Sequence, residues 1–139
     1  MPCNEPIKNS DGETDWDISE RNIWEEIWEK SNDPSPVGWR IPTKDELKTL
    51  IDTVKVFNEW TSENDVNGRK FTDRTSGKSI FLPAAGLRDY DDGALYVIGL
   101  QGNYVCNDFN YHSLTFTSDS RWFHTWNCAY ALSVRPVAE

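Results

Sequence analysis

The stretch that decides the fold runs from Gly38 to Leu50 and reads GWRIPTKDELKTL. Pro42 keeps the residue before it out of the helical region of the backbone, so the chain enters this stretch extended. Thr43 is followed three residues later by Glu46, which is the spacing of a capping box at a helix N-terminus. The apolar residues that follow recur at i, i+3, i+4 and i+7. We therefore predict a helix over residues 43–55.

A second helix is predicted before this one, over residues 17–31, where two isoleucines and two tryptophans form i, i+4 pairs between charged residues. Residues 1–16 are polar and lack periodicity, which is typical of an irregular arm. A chain of 139 residues suits one domain. We assign that single domain to residues 17–139.

Beyond Ser79 the apolar runs become short and β-like, and they are separated by Gly, Asp, Asn or Ser. Residues 61–78 are polar and turn-rich, and the dipeptides Asn67-Gly68 and Ser76-Gly77 predict turns there. Two helices followed by short, mostly antiparallel strands indicate an α+β fold rather than a parallel α/β sheet.

The net charge of −9 is unevenly distributed. Residues 1–65 carry 16 acidic and 7 basic residues, whereas residues 66–139 carry 7 of each. Because phosphate binding needs a concentrated basic surface, we do not expect a nucleic-acid partner. No apolar run is long enough for a membrane span, and we recognise no signal peptide.

Three stretches, taken together, resemble motifs of one group of proteins. Residues 36–47 (PVGWRIPTKDEL) resemble a signature of bacterial domains with the C-type lectin fold. Residues 81–88 (FLPAAGLR), followed by Gly93, Gly99 and GNY, resemble the Fibrobacter succinogenes major paralogous domain. Residues 131–137 (ALSVRPV) resemble the closing motif of that domain and of variable proteins from diversity-generating retroelements.

The resemblance implies a C-type lectin-like fold whose termini lie close together in one small sheet. It also implies a variable region, residues 103–128, just before the closing motif, and a place on a cell surface or a phage particle. The calcium-and-sugar tripeptides of animal C-type lectins are absent from this region, so calcium-dependent sugar binding is not implied. Oligomers are compatible with the resemblance.

Residues 103–128 combine many aromatic residues with Asn, Ser, Asp and both histidines, and they contain no lysine. Large rigid rings beside small hydrogen-bonding groups are typical of a binding surface. We predict that this surface contacts an unidentified protein or glycan. The predicted contact residues are Val105, Cys106, Asn107, Asp108, Phe109, Asn110, His112, Arg121, Trp122, Phe123, His124, Trp126 and Asn127.

The same pattern has another interpretation, since alternate aromatic residues can simply fill a β core. At a period of two, Trp122, His124 and Trp126 share one face of a strand, and Phe123 and Thr125 share the other. One of these faces could therefore belong to the core.

The absence of Lys, Glu, Gln and Met from residues 103–128 supports the resemblance to diversified proteins. Retroelement diversification alters adenines in Asn-type codons, and these codons cannot reach those four residue types. Trp122 and Trp126 require a different starting codon. The alternative function is an invariant cell-surface or fimbria-associated module that binds a glycan or a protein.

We predict no catalytic residue, no metal ligand and no cofactor. The histidines and Cys106 or Cys128 could form a nucleophilic site, but packed thiols and polar surface groups explain them as well. The spacing of these cysteines differs from the close pair of formylglycine-generating enzymes, which share the lectin fold. The acidic residues 89–93 do not have the spacing of an EF-hand, so we interpret them as a solvated turn.

Overall fold

A computed structural model describes residues 33–108, 111–126 and 130–139. In chain order, its elements are β1 (Trp39–Arg40), α1 (Lys44–Leu50), β2 (Val56–Glu63), β3 (Val66–Asp73), β4 (Ser79–Pro83), β5 (Leu87–Arg88), β6 (Leu95–Tyr96), β7 (Gly102–Val105), β8 (His112–Phe116), β9 (Arg121–Thr125) and β10 (Val137–Ala138). The strands form four small antiparallel sheets: β1-β10, β2-β3-β4, β5-β6 and β7-β8-β9.

The two-helix prediction is wrong. In the described part of the chain there is one helix of seven residues, and small antiparallel sheets make up most of the rest. Only the coarse α+β description holds. The predicted helix over residues 17–31 and the predicted arm over residues 1–16 lie outside the described residues.

Helix α1 begins where the sequence predicts and ends early. The Thr43 side chain accepts from the backbone N–H of Glu46, and the Glu46 carboxylate accepts from the backbone N–H of Thr43, so the capping box is confirmed. The helix was predicted to reach residue 55, but it stops at Leu50. The chain then turns through Asp52, whose carbonyl accepts from Val56 at the start of β2.

Most of the polar segment that was predicted to be turn-rich belongs to a long hairpin, whereas the predicted turn at Ser76-Gly77 is present between β3 and β4. Strands β2 and β3 pair over eight residues each, and Asn64-Asp65 forms the tight turn with positive φ at both residues. The predicted turn at Asn67-Gly68 is part of β3. A Cβ on Gly68 would overlap the carbonyl oxygen of Leu82, so the glycine allows close approach of β4.

The main core lies between the β2-β3-β4 sheet and the β7-β8-β9 sheet. Phe116 of β8 is completely buried at its centre. Its ring lies 6.0 Å from Tyr104, 6.2 Å from Phe71 and 6.4 Å from Trp60. One aromatic ring therefore joins β8 to its neighbour β7 and to two strands of the other sheet.

The last residues of the chain close the structure in two places. The backbone N–H of Val105 in β7 donates to Ser133, and Ser133 donates to Asn103. Further on, β10 pairs with β1, and the N–H of Glu139 donates to Gly38. The C-terminal segment thus covers the open edge of β7, which leaves β9 on the other side of that sheet. Among the described residues, no helix has the length and apolar character needed to cross a membrane.

Candidate functional site

Strand β9 separates its side chains cleanly between the core and the solvent. Phe123 packs against the main core. Trp122, on the opposite side, is 37% exposed, and His124 is exposed as well. Trp126 continues the same side one residue beyond the strand and is half-buried. We call Trp122, His124 and Trp126 the outer face of β9.

A layer of buried polar side chains adjoins the outer face on the same side of the sheet. Ser113 and Thr115 of β8 and Asn103 of β7 lie on the same face of the sheet, beside the outer face, and are completely buried. The indole Nε1–H of Trp126 donates to Ser113 Oγ at 2.7 Å. Buried hydroxyl and amide groups need partners, and this layer supplies them internally.

The hydrogen bonds of this layer have a defined direction. Thr115 donates its single hydroxyl proton to Asn103 Oδ1 at 3.0 Å, so Thr115 must accept from Ser113 Oγ, which lies 2.7 Å away. Gln101 Nε2 donates to the same Asn103 oxygen at 2.9 Å. The chain from Trp126 to Asn103 therefore holds the indole in one orientation on the surface.

Four rings follow one another across this side of the molecule. Trp126 lies 4.4 Å from His124 and 4.9 Å from Tyr130, and Tyr130 lies 5.1 Å from Tyr90. The three interplanar angles are between 58° and 63°, which is a favourable tilted or edge-to-face geometry. We call these four residues the aromatic row.

The aromatic row extends the site beyond the predicted residues. Tyr90 is 40% exposed and lies in the turn between β5 and β6, and Tyr130 lies after the predicted region. Neither was predicted as a contact residue. The ring contacts of Tyr90 join segments 40 residues apart, and no local pattern in the sequence indicates such a contact.

The turn that carries Tyr90 is acidic and well ordered by its own hydrogen bonds. The backbone N–H of Ala94 and the hydroxyl of Tyr96 both donate to the carboxylate of Asp92, and both lower its pKa. The hydrogen bond to Asp92 also raises the pKa of the Tyr96 hydroxyl. Burial, followed by the negative charge of Asp89, raises the pKa of Tyr130. The acidic turn therefore lies beside the tyrosine end of the aromatic row.

A run of exposed apolar residues follows this turn. Leu95, Tyr96, Val97, Ile98 and Leu100 are all exposed. Exposed apolar residues that adjoin one another are typical of interaction surfaces. The sequence predicted this run to be β-like, and the structure forms a strand only at Leu95–Tyr96.

Val105 and Cys106 need correction as predicted contact residues, because both are buried. Cys106 lies in the main core, and Val105 packs in a second cluster with Ile41 and Tyr111. Burial, followed by the negative charge of Asp108, raises the pKa of the Cys106 thiol to about 12. At neutral pH this thiol is protonated and enclosed, so it is a poor nucleophile.

Asn107, Asp108 and His112 lie apart from the outer face. His112 projects from the core side of β8, and its Nδ1 lies 2.7 Å from Asp108 Oδ1. Asn107 pairs with Thr43 at the start of α1. Phe109, Asn110 and Asn127 lie outside the described residues, as do Cys3 and Cys128.

Arg121 begins β9 on the core side of the sheet, and its Nε is buried with no hydrogen-bond partner in the part of the chain that the structure describes. Its positive charge lowers the pKa of Arg69, although burial of Arg69 contributes more. Of the predicted residues, the structure brings Trp122, His124 and Trp126 together on one side of β9, where Trp122 and His124 are exposed and Trp126 is half-buried against the second cluster.

Among residues 33–108, 111–126 and 130–139, no group of three or more His, Cys, Asp or Glu side chains could hold a metal ion. Comparison with known proteins found no matching family model, no matching curated protein and no matching solved structure.

Proposed function

We propose that this chain is a non-catalytic ligand-recognition protein that presents the outer face of β9 to a partner. The observation that carries this proposal is the orientation of β9. Trp122 and His124 are exposed while Phe123 faces the core, and Trp126 beside them packs against the second cluster of Ile41, Val105 and Tyr111. Rigid aromatic side chains on an exposed face supply a large contact area at a low entropic cost.

The hydrogen bonds of the buried polar residues beside the outer face strengthen the proposal. The indole of Trp126 is held by Ser113, and the network continues to Asn103 through buried groups. A side chain that is already oriented loses little freedom when a partner binds. The energetic cost of ordering the surface is therefore met during folding.

We further propose that residues 103–128 are diversified, as in the variable proteins of diversity-generating retroelements. The motifs at residues 36–47, 81–88 and 131–137 and the absence of Lys, Glu, Gln and Met support this proposal. The outer face also suits diversification, because exchange of an exposed side chain such as Trp122 costs little stability. Exchange of Phe123 would disturb the core.

Diversification can be tested in the genome that encodes the chain. The expected finding is a reverse transcriptase gene beside a non-coding copy of the sequence for residues 103–137 that differs only at adenines. If a complete genome lacks this copy, diversification is excluded. The alternative function, an invariant surface module that binds a glycan or a protein, would then be preferred.

Recognition itself can be tested with two neighbouring variants and a partner captured by the native protein. Trp122→Ala should weaken binding of that partner by about tenfold or more, since interface tryptophans commonly contribute this much. The matched control is Thr125→Ala, at an exposed residue on the opposite side of the same strand. Equal binding by both variants would contradict the proposal that the outer face contacts the partner.

A further inference from the structure

The tyrosine end of the aromatic row carries a concentration of negative charge. Asp89, Asp91 and Asp92 lie in the turn that presents Tyr90. Asp92 accepts from the Tyr96 hydroxyl, and the charge of Asp89 acts on Tyr130. Rings and carboxylates therefore share one surface.

Arg88 offsets only part of this charge, since one guanidinium lies in the turn with three carboxylates. In residues 33–108, 111–126 and 130–139, none of the three carboxylates forms an ion pair. The nearest cation along the chain is Arg88, whose guanidinium donates to the carbonyl of Gly93 at 2.9 Å. No lysine follows Lys78 anywhere in the sequence. Because like charges in one turn repel each other, a cation supplied from outside would be stabilised here.

We infer that this end of the aromatic row binds a lysine or arginine side chain from a basic segment of a partner protein. This inference rests on the proposed function, because it assigns a chemical class to the partner of the same surface. A cation within about 6 Å of a ring face is attracted by the π system. Tyr90 is exposed, and Tyr130 is half-buried next to it. The ring face of Tyr90 can therefore contact the cation, while the carboxylates accept its hydrogen bonds.

Charge complementarity favours a basic protein segment over a neutral glycan. A sugar can stack on the rings and donate to the carboxylates, but it does not neutralise them. A lysine or arginine side chain can contact the rings and also neutralise the carboxylates. The net charge of −9 attracts a basic partner over a longer range. The backbone hydrogen bonds of Asp91 to Asp89 and of Ala94 to Asp92 hold the turn in place before a partner arrives.

The probes for this inference are a short peptide of alternating lysine and glycine, the same peptide with every lysine acetylated, and cellohexaose. Binding to the full chain is measured by calorimetry at low and at high salt. We expect the lysine peptide to bind at least about tenfold more tightly than its acetylated form and to lose affinity as salt rises. Binding of cellohexaose without binding of the lysine peptide would overturn the inference in favour of a glycan.

Substitutions separate a local site from general attraction between opposite charges. Asp91→Asn and Glu59→Gln each remove one negative charge from an exposed residue, but Glu59 lies in β2, in a different sheet. We expect Asp91→Asn to weaken binding of the lysine peptide and Glu59→Gln to leave it nearly unchanged. Equal losses in both variants would overturn the inference.

The ring has its own test. Tyr90→Ala should weaken binding of the lysine peptide by about threefold to fivefold, whereas Tyr90→Phe should retain it, because the aromatic face supplies the attraction. If Tyr90→Ala and Asp91→Asn bind the lysine peptide as the native protein does, the inference is wrong. The proposed function would still stand if Trp122→Ala weakened binding of the captured partner, so the two failures are distinguishable.

Discussion

The indole Nε1 of Trp126 lies 2.7 Å from the hydroxyl oxygen of Ser113, and this bond connects an exposed face to the interior of the sheet. Ser113 is completely buried, while Trp126 is half-buried. The serine accepts from the indole and donates to Thr115, so both capacities of its hydroxyl are used. Buried residues of the sheet therefore fix the position of the Trp126 ring.

Ser113→Ala tests the energetic role of this bond. The substitution leaves the indole N–H of Trp126 and one acceptor position of Thr115 without a partner, so we expect a loss of about 1 to 3 kcal/mol in the free energy of unfolding. Urea denaturation followed by circular dichroism measures it. Ser79→Ala, at an exposed residue of β4, is the control and should change stability by less than about 0.5 kcal/mol. Equal stability of the two variants would show that the buried layer does not depend on this bond.

The two sides of β9 should respond differently to truncation. Phe123→Ala removes a ring that packs against the main core. We expect a loss of about 3 kcal/mol, near the lower end for phenylalanine because the residue is only partly buried. Trp122→Ala should cost less than Phe123→Ala, since Trp122 is 37% exposed and belongs to neither core cluster. Thermal unfolding of both variants measures the two losses in stability. A larger loss of stability for Trp122→Ala than for Phe123→Ala would mean that the outer face belongs to the core.

Features encoded by neighbouring residues could be predicted from the sequence. The capping box at Thr43 and Glu46 needs only a spacing of three residues, and it is present. The alternation of β9 needs only a period of two, and it places Phe123 opposite Trp122 and His124 as the pattern predicts. In both cases the information is local.

Features set by distant contacts could not be predicted in the same way. Strands β2 and β3 are polar, so their sequence resembles a loop, but pairing with each other and with β4 makes them strands. Gly68 looks like a turn residue, yet it serves close packing against Leu82. Tyr90 reaches the aromatic row through a contact across 40 residues.

Acid should reveal the contribution of the ion pair at the start of α1. The hydrogen bond from Arg40 to Glu46, with a distance of 2.6 Å, lowers the pKa of Glu46 to about 2 from 4.5. A lowered pKa in the folded state gives stability that is present above pH 4.5 and is lost as the pH falls toward 2. Both side chains are more than a third exposed, so solvent screening limits the contribution to about 1 kcal/mol or less.

The measurement for this pair is the free energy of unfolding as a function of pH. Between pH 4.5 and pH 2 the native protein should lose more stability than Glu46→Gln, which has no carboxylate to protonate. Glu59→Gln serves as the control for loss of an exposed carboxylate, and its pH dependence should follow that of the native protein. Parallel curves for the native protein and Glu46→Gln would contradict the prediction.

Cys106 should resist alkylation in the folded protein. Its thiol is completely buried, and its pKa of about 12 leaves almost no thiolate at pH 8. In a chain that also carries Cys3→Ser and Cys128→Ser, we expect iodoacetamide to label Cys106 more than about a hundredfold more slowly than in the same chain unfolded in urea. Thr75→Cys, in the same background with Cys106→Ser, places a thiol at an exposed residue and should label quickly without urea. Mass spectrometry at timed intervals measures both rates, and similar rates for the two folded thiols would show that Cys106 is accessible.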